Sequence, residues 1–405
     1  MFIKGKIIVL LQLGNLFLYL TLVNDMRRVE YIPEYSMEIL FSLKSIQCYD
    51  LISKKVVYSK SYRARIAYIK KVTFNSFLIY NKRNELVDGI YIDLASERSK
   101  VATGAQYIRD LFMDTPTHGY YFGTYEIGEF SLIKGEELVI NRSYPLKYCS
   151  KGCVTPDNTF YFGLRESETI NGPYSYYLVK LDWNNKAEPF ILWKKSIPSS
   201  IMGISRIEDR LYLGLKTGTI QIWDIEKDEI LKSINLFNNS ISAIELGFDS
   251  IIATSRKGET ASISPNGDIQ WRIELTQEKI ETIFGDINKI VITDIKGNYF
   301  QLNSKTGNII EKGIWDLTSV RGATIASNLV LFRDWFVLTG YGGVWAFWNE
   351  DYSKIFHYYM EDPLIRKLYP HPLGFYTGDD TGYIRFWKIG GIRSDYRLPT
   401  EILHT

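Results

Sequence analysis

A strand–turn–strand unit that returns about every forty residues constrains this chain more than any other feature. The clearest copy is FYTGDDTGYIRFWKI at 375–389. LYLGLKTGTIQIWDI (211–225) lies beneath it without a gap, and FVLTGYGGVWAFW (336–348) follows the same plan. SIIATSRKGETASIS (250–264) and KIVITDIKGNYFQLNS (289–304) are weaker copies. Each begins with a short apolar strand and a polar turn closing on glycine. An alternating strand follows and ends on a large apolar residue. The turn glycines are Gly218, Gly258, Gly297, Gly343 and Gly382, spaced 40, 39, 46 and 39 residues apart. Five residues beyond them stand Trp223, Ile263, Leu302, Trp348 and Trp387, with Asp224 directly after Trp223.

Glycine supplies the positive φ that a tight hairpin turn requires. Alternation after the turn makes a strand with two different faces. A large apolar residue at a fixed offset packs between neighbouring sheets. One such sheet cannot bury both faces, so the unit must repeat around a ring. The pattern therefore predicts an all-β chain: one closed β-propeller of four-stranded blades over residues 1–405. Earlier hairpins are visible at 45–59, 89–97, 120–133 and 159–183. Counting hairpins gives nine or ten, while the commonest propellers have seven or eight blades, so about eight are expected within a range of seven to ten.

The amino terminus admits two readings. KIIVLLQLGNLFLYLT (6–21) matches KIVITDIKGNYFQLNS position for position, with Gly14-Asn15 on Gly297-Asn298. Asn-Gly and Gly-Asn pairs between apolar runs mark hairpins. The apolar run 7–23 after MFIKGK also has the character of a signal peptide or anchor, although NDMRR rather than a small-residue cleavage site follows it. The repeat favours blade strands. Residues 6–21 and 394–405 are then expected to share one blade.

The endings TGDDTGYIRFWKI (377–389) and LKTGTIQIWDI (215–225) resemble those of WD-repeat (WD40-like) proteins. That resemblance implies a propeller whose surfaces assemble protein complexes, without catalysis. It also implies a buried network in which Thr377, Asp380 and Trp387 join a histidine from an upstream Gly-His pair. That pair is absent here; Lys216 and Tyr341 stand where two other blades would carry the turn acid. Packing rather than a repeated polar network must hold most blades. GNYFQLNSKTGNIIEKGIW (297–315) also resembles the quinoprotein-type repeat, which shares the propeller architecture.

Composition narrows function by exclusion. Hydrophobic residues make up 45% and aromatics 15%, enough for a large core. No HExxH, P-loop, dinucleotide fingerprint or GxSxG elbow occurs, and four histidines lack partner spacing. The adjacent cysteine pair of quinoprotein dehydrogenases is also missing, so neither an enzyme nor a cofactor is expected. The cysteines are Cys48, Cys149 and Cys153. They form no disulfide framework and suit a reducing compartment. YCSKGC (148–153) lacks the further ligands a structural zinc needs, so no metal is expected.

Charge is uneven. Residues 1–84 carry 14 Lys and Arg against 5 Asp and Glu, whereas the rest carries 34 against 41. Lys54, Lys55, Arg63, Arg65, Lys70 and Lys71 fall in a stretch, 51–84, without any acid. They are either a solvated rim or a patch that docks an acidic protein segment or a nucleic acid. Trp223, Trp348 and Trp387 are expected in the core between blades, and the exposed run FHYYMEDP (356–363) is a candidate contact surface. The expected function is a non-catalytic interaction scaffold, a subunit of a larger intracellular, cytoplasmic complex. Its partners are other proteins, with no membrane. The alternative is an extracytoplasmic propeller, secreted or anchored through 7–23, acting in envelope assembly or as a quinoprotein-like enzyme.

Overall fold

A computed structural model of the chain describes residues 2–393 apart from 4–5, 14–15, 23–27, 33–36, 42–44, 51–54, 64, 74–75, 94–95, 135–136, 168–171, 185–188, 248, 286–288, 316, 318–325, 333–334, 342, 350, 353, 360–363 and 389–390. Every regular element among the described residues is a strand. Contacts group the chain into two compact units, 97–387 and 1–96 with 388–405, where the sequence leads one to expect a single unit over 1–405.

The larger unit holds seven four-stranded antiparallel sheets. Six are meanders in chain order, beginning with the inner strands Ile108–Thr115, Cys149–Val154, Ile201–Ile207, Ile241–Gly247, Ile280–Gly285 and Ala326–Phe332. The seventh takes three strands from Ile365–His371, Gly374–Asp379 and Tyr383–Lys388. Its fourth is Ser96–Ala102, from the other end of the unit. Each inner strand packs on the next one, and that of the seventh sheet packs on that of the first. Because 96–102 completes the seventh sheet, the larger unit needs no strand from the residues before it. This separates the two units.

The smaller unit contains a three-stranded sheet of Phe2–Ile3, Lys6–Leu13 and Leu16–Leu22. A four-stranded sheet spans Arg28–Ile32 to Lys55–Ser61, and another joins Ile66–Thr73, Ser76–Asn81 and Leu86–Asp93 to Gly391–Arg393. Leu13 pairs with Leu16, so the apolar amino-terminal run is a strand pair here. Residues 394–405, expected to share its blade, lie outside the described residues.

The turn glycines have a second reason beyond φ. Gly218 and Gly258 sit at φ +86° and +76°. The Gly218 carbonyl accepts from the amides of Leu236 and Phe237, and that of Gly258 from Leu275, on the connection to the next sheet. A Cβ at Gly258 would lie 1.8 Å from the Thr276 carbonyl oxygen. The glycine thus lets one sheet's hairpin dock on the link to the next, a close backbone approach that no other residue permits.

Register corrects one expected position. Trp223, Ile263 and Leu302 face Leu211, Ile251 and Ile290 on the neighbouring strand. In the sixth sheet the turn is shorter, Gly340 pairing with Gly343, and Phe347 rather than Trp348 takes the equivalent place opposite Phe336. Gly343 accordingly has φ +132° instead of the +76° to +86° of Gly218, Gly258, Gly297 and Gly382. Phe347 is buried and stacks on Trp315 with centroids 5.0 Å apart. The backbone of Trp348 pairs with Trp335; its side chain lies outside the described ones. Trp223 and Trp387 are buried. Asp224 is buried too, and its Oδ1 takes the amides of Glu226 and Lys227, closing the turn to the outer strand.

Candidate functional site

In each meander the turn between the second and third strands, and the link into the following sheet, lie at the same edge. Hydrogen bonds tie the two. The amides of Thr124, Arg165, Lys216, Arg256, Ile295 and Asp380, on these turns or at the strand end leading into them, donate to the carbonyls of Tyr107, Tyr148, Ser200, Ser240, Lys279 and Leu364, which immediately precede the inner strands. Residues on these turns and on the first turns of the inner strands therefore share one face of the larger unit.

That face is basic. Arg109, Lys151, Arg165, Arg256, Lys279 and Arg366 all stand on it, each on a turn or link or near the end of a strand. They lie close enough to act on one another. Burial, then the charges of Arg256, Arg366 and Lys151, bring the Lys279 ammonium down to a pKa of about 8. Burial and the neighbouring Arg366 and Arg165 also lower Arg109, partly offset by Tyr107 and Cys149. Arg366 reaches Asp380 only at 3.9 Å, and its buried Nε has no hydrogen-bond partner. Acids share this edge too, but several are engaged by other cations, Glu166 by Lys194, Glu259 by Arg272 and Glu278 by Lys296, so like charge gathers among the six, where an anionic partner would neutralise it.

One step along the inner strands, charges alternate instead. Lys367 Nζ lies 3.0 Å from Asp110 Oδ1, and Lys151 Nζ lies 4.0 Å from Asp110 Oδ2. Burial works against the Lys367 charge, but Asp110 and Glu245 more than offset it, so this lysine holds its proton more tightly than usual. Burial pushes the Glu245 carboxyl up, with Lys367 opposing. Lys151 and Lys367 keep 31% and 23% of their side-chain surface accessible.

Beside the basic face, around the second sheet, aromatic rings are exposed. Tyr125, Tyr148 and Tyr174 are 38%, 37% and 40% accessible. The Arg165 guanidinium sits between two of them, 4.8 Å from the Tyr148 ring centroid and 4.3 Å from that of Tyr174. Tyr125 leans on Tyr148 at 5.7 Å. A cavity of about 570 Å³ opens there, lined by Lys147, Tyr148, Arg165, Glu166, Pro173 and Tyr177 among others.

The residues singled out in the sequence fall elsewhere. Arg63 and Arg65 are exposed on the link between Lys55–Ser61 and Ile66–Thr73 in the smaller unit. Lys55, Lys70 and Lys71 are placed in those strands, but their side chains, like Lys54 altogether, lie outside the described residues. Lys60 of the same stretch pairs with Asp88 at 2.8 Å, so not all of its charge is uncompensated. Of FHYYMEDP, Phe356–Tyr359 lie in the outer strand Lys354–Tyr359, and the side chains lie outside the described ones. The six cations of the larger unit are scattered singly through the sequence. Only their common position, beside a turn or opening an inner strand, relates them.

The expected polar network is present in part. Trp387 Nε1 donates to Thr377 Oγ1 at 2.8 Å. The buried turn acid, however, is Asp379 rather than Asp380: its Oδ1 takes the Thr381 and Tyr383 amides and the Thr381 hydroxyl, and its Oδ2 pairs with Arg385. Asp380 instead accepts the Leu364 amide. Cys149 and Cys153 are buried free thiols, and among the described residues no His, Cys, Asp and Glu group is arranged to hold a metal ion. No described helix is long and apolar enough to cross a membrane.

No family model and no curated protein matches the sequence. Among solved structures, the WD40 β-propeller domain of Doa1 matches with a TM-score of 0.59 at 9% identity, over 76% of this chain and 99% of that one. So low an identity speaks to architecture alone. With its four-stranded antiparallel sheets and Trp-ended hairpins, the chain has a divergent WD40-like β-propeller fold.

Proposed function

We propose that this protein is a non-catalytic interaction scaffold and a subunit of a larger intracellular complex. Its larger unit is read as a closed seven-bladed ring, one blade fewer than the eight expected and within the range of seven to ten. Strand sharing between 96–102 and 383–388 and the packing of the seventh inner strand on the first support closure. The observation that carries the functional reading is the gathering of six cations from separate turns and strand ends on one face, flanked by exposed tyrosines. Tyr and Arg are enriched where protein interfaces hold their binding energy. Buried free thiols at Cys149 and Cys153 fit a reducing compartment. Arg63 and Arg65 of the smaller unit are a candidate second contact.

Affinity purification of the tagged full-length chain, with cross-linking mass spectrometry, tests the reading. A stoichiometric protein partner cross-linked to Lys151, Lys147 or Lys279 is expected. A chain that purifies alone, at monomer mass, from every extract would contradict it.

A further inference from the structure

Arg165 is unusual among the cations of the basic face. Its guanidinium is held between the Tyr148 and Tyr174 rings, 4.8 and 4.3 Å from their centroids, yet makes no hydrogen bond or ion pair among the described residues. Its backbone is fixed as well, since its amide donates to the Tyr148 carbonyl at 3.2 Å. Tyr148 itself takes the left-handed φ of +56°. Stacking of this kind restrains a long, flexible side chain without using its donors. The planar fork is thus oriented in advance and open toward the cavity.

The surrounding charges favour an anion. Lys147 lines the same cavity and is exposed. Glu166, the one acid among its lining residues, is already engaged by Lys194 at 2.6 Å. Lys194 in turn lies over the Tyr177 ring at 4.2 Å. Toward the inner strands, Arg109 is near enough to Arg165 to feel its charge, and Arg366 and Lys151 follow. Positive charge therefore runs from the cavity toward the inner strands. Just beyond, Asp110 faces Lys367 and Lys151, and the basic run ends.

We propose that the Tyr148–Arg165–Tyr174 sandwich is a carboxylate-binding site, and that its ligand is an extended acidic segment of a partner protein. Arg165 receives one side-chain carboxylate in a bidentate pair, and Lys147 and Arg109 attract the acids on either side. Carboxylate rather than phosphate chemistry is favoured because the site offers one preorganised fork, which a single carboxylate fills, while Lys367 and Lys151 beyond it already face Asp110 and leave no continuous cationic track for a polyphosphate. The exposed rings of Tyr125, Tyr148 and Tyr174 offer a peptide backbone apolar surface. The inference rests on the scaffold reading, to which it adds the chemistry of the partner.

The test is fluorescence anisotropy of a labelled hexaglutamate peptide against the full-length chain, with labelled hexalysine and a short oligothymidylate as counter-probes. Hexaglutamate is expected to bind, more weakly as salt rises, and hexalysine not to bind. Arg165→Glu is expected to weaken hexaglutamate by about tenfold or more, as loss of a charged hydrogen-bonded pair does. Arg165→Lys keeps the charge but not the fork, and is expected to weaken binding several-fold. Lys147→Glu, at an exposed position, gives a second reversal should Arg165→Glu melt early. Arg63→Glu with Arg65→Glu is expected to leave binding unchanged. The site is overturned if the wild-type chain ignores hexaglutamate, if folded Arg165 and Lys147 variants bind it equally well, or if oligothymidylate binds more tightly. Partner capture separates the two levels. A partner recovered equally by wild-type and Arg165→Glu chains would remove the site and leave the scaffold standing. Hexaglutamate binding through Arg165 in a chain that captures no partner would do the reverse.

Discussion

Trp387 donates its indole N–H to the Thr377 hydroxyl across 2.8 Å, and neither residue has any accessible surface. The ring also stacks on Phe375 with centroids 5.9 Å apart. Trp387→Ala is therefore expected to cost roughly 3–5 kcal/mol, as for other large buried aromatics. Trp387→Phe keeps part of the packing but strands the Thr377 hydroxyl, and is expected to cost about 1–3 kcal/mol. Denaturant unfolding measures both. Equal, near-zero losses would place Trp387 at the surface and undo the repeat register.

The two adjacent acids of the same hairpin should behave differently. Asp379 is fully buried and serves three turn donors and Arg385, itself 8% accessible. Asp379→Ala leaves that guanidinium short of its buried partner, and a loss of roughly 3–5 kcal/mol is expected. Asp380 is partly exposed, and Asp380→Ala is expected to cost about 1 kcal/mol. Equilibrium unfolding of both variants checks the order. The reverse order would restore Asp380 as the structural acid.

Glycines at similar φ should not be equally sensitive. Gly258 and Gly382 stand at +76° and +84°, so alanine is strained at each. At Gly258 a Cβ would lie 1.8 Å from a carbonyl oxygen, whereas at Gly382 the nearest heavy atom is 3.3 Å away. Gly382→Ala is expected to cost about 1 kcal/mol, the conformational cost alone. Gly258→Ala must also move the link to the next sheet and should cost clearly more. Thermal melts of the two variants settle the comparison, and equal shifts would mean the close approach at Gly258 is not real.

Burial lowers the pKa of His371 to about 4. Its Nδ1 accepts the Leu373 amide at 3.0 Å, and its ring meets Phe386 edge-on. The unfolded chain, where His371 titrates near its ordinary value of about 6.5, binds this proton at higher pH than the folded one. The contribution is therefore complete above about pH 6.5 and falls as pH drops toward about 4, by an amount on the order of 3 kcal/mol. His371→Gln should flatten that part of the stability–pH curve in urea titrations. An unchanged slope would show that His371 is protonated without penalty.

The repeat was legible wherever its two signals, a turn glycine and a large apolar residue at fixed offset, survived together. Gly218 with Trp223 and Gly382 with Trp387 mark their hairpins correctly. The sixth sheet misled because its turn is shorter, which moved Phe347 into the place assigned to Trp348. Boundaries between units left no trace, since 96–102 looks like any other strand until it pairs with 383–388. Nor did the sequence suggest the bulge that recurs near the start of every inner strand of the larger unit, as at Ile108/Asp110, Ile201/Gly203 and Ile365/Lys367. A bulge is fixed by how a strand must bend among its neighbours, not by a residue type. The basic face was hidden for a related reason: its members are near in space only because the turns converge. Charge counting instead picked out 51–84, where cations are neighbours in sequence.

Sharing of the seventh sheet between the two ends of the larger unit is the claim on which the propeller rests. Lys100 and Tyr383 stand on the two strands concerned, with the Lys100 ammonium 5.5 Å from the Tyr383 ring centroid. Paired cysteines at these positions, in the Lys100→Cys, Tyr383→Cys chain, joined by a short bis-thiol-reactive reagent, are the direct probe, read by peptide mapping. An intramolecular cross-link between them, with a raised melting temperature, is expected. Cysteines that react singly, or link only between molecules, in a folded chain would contradict a propeller closed through Ser96–Ala102.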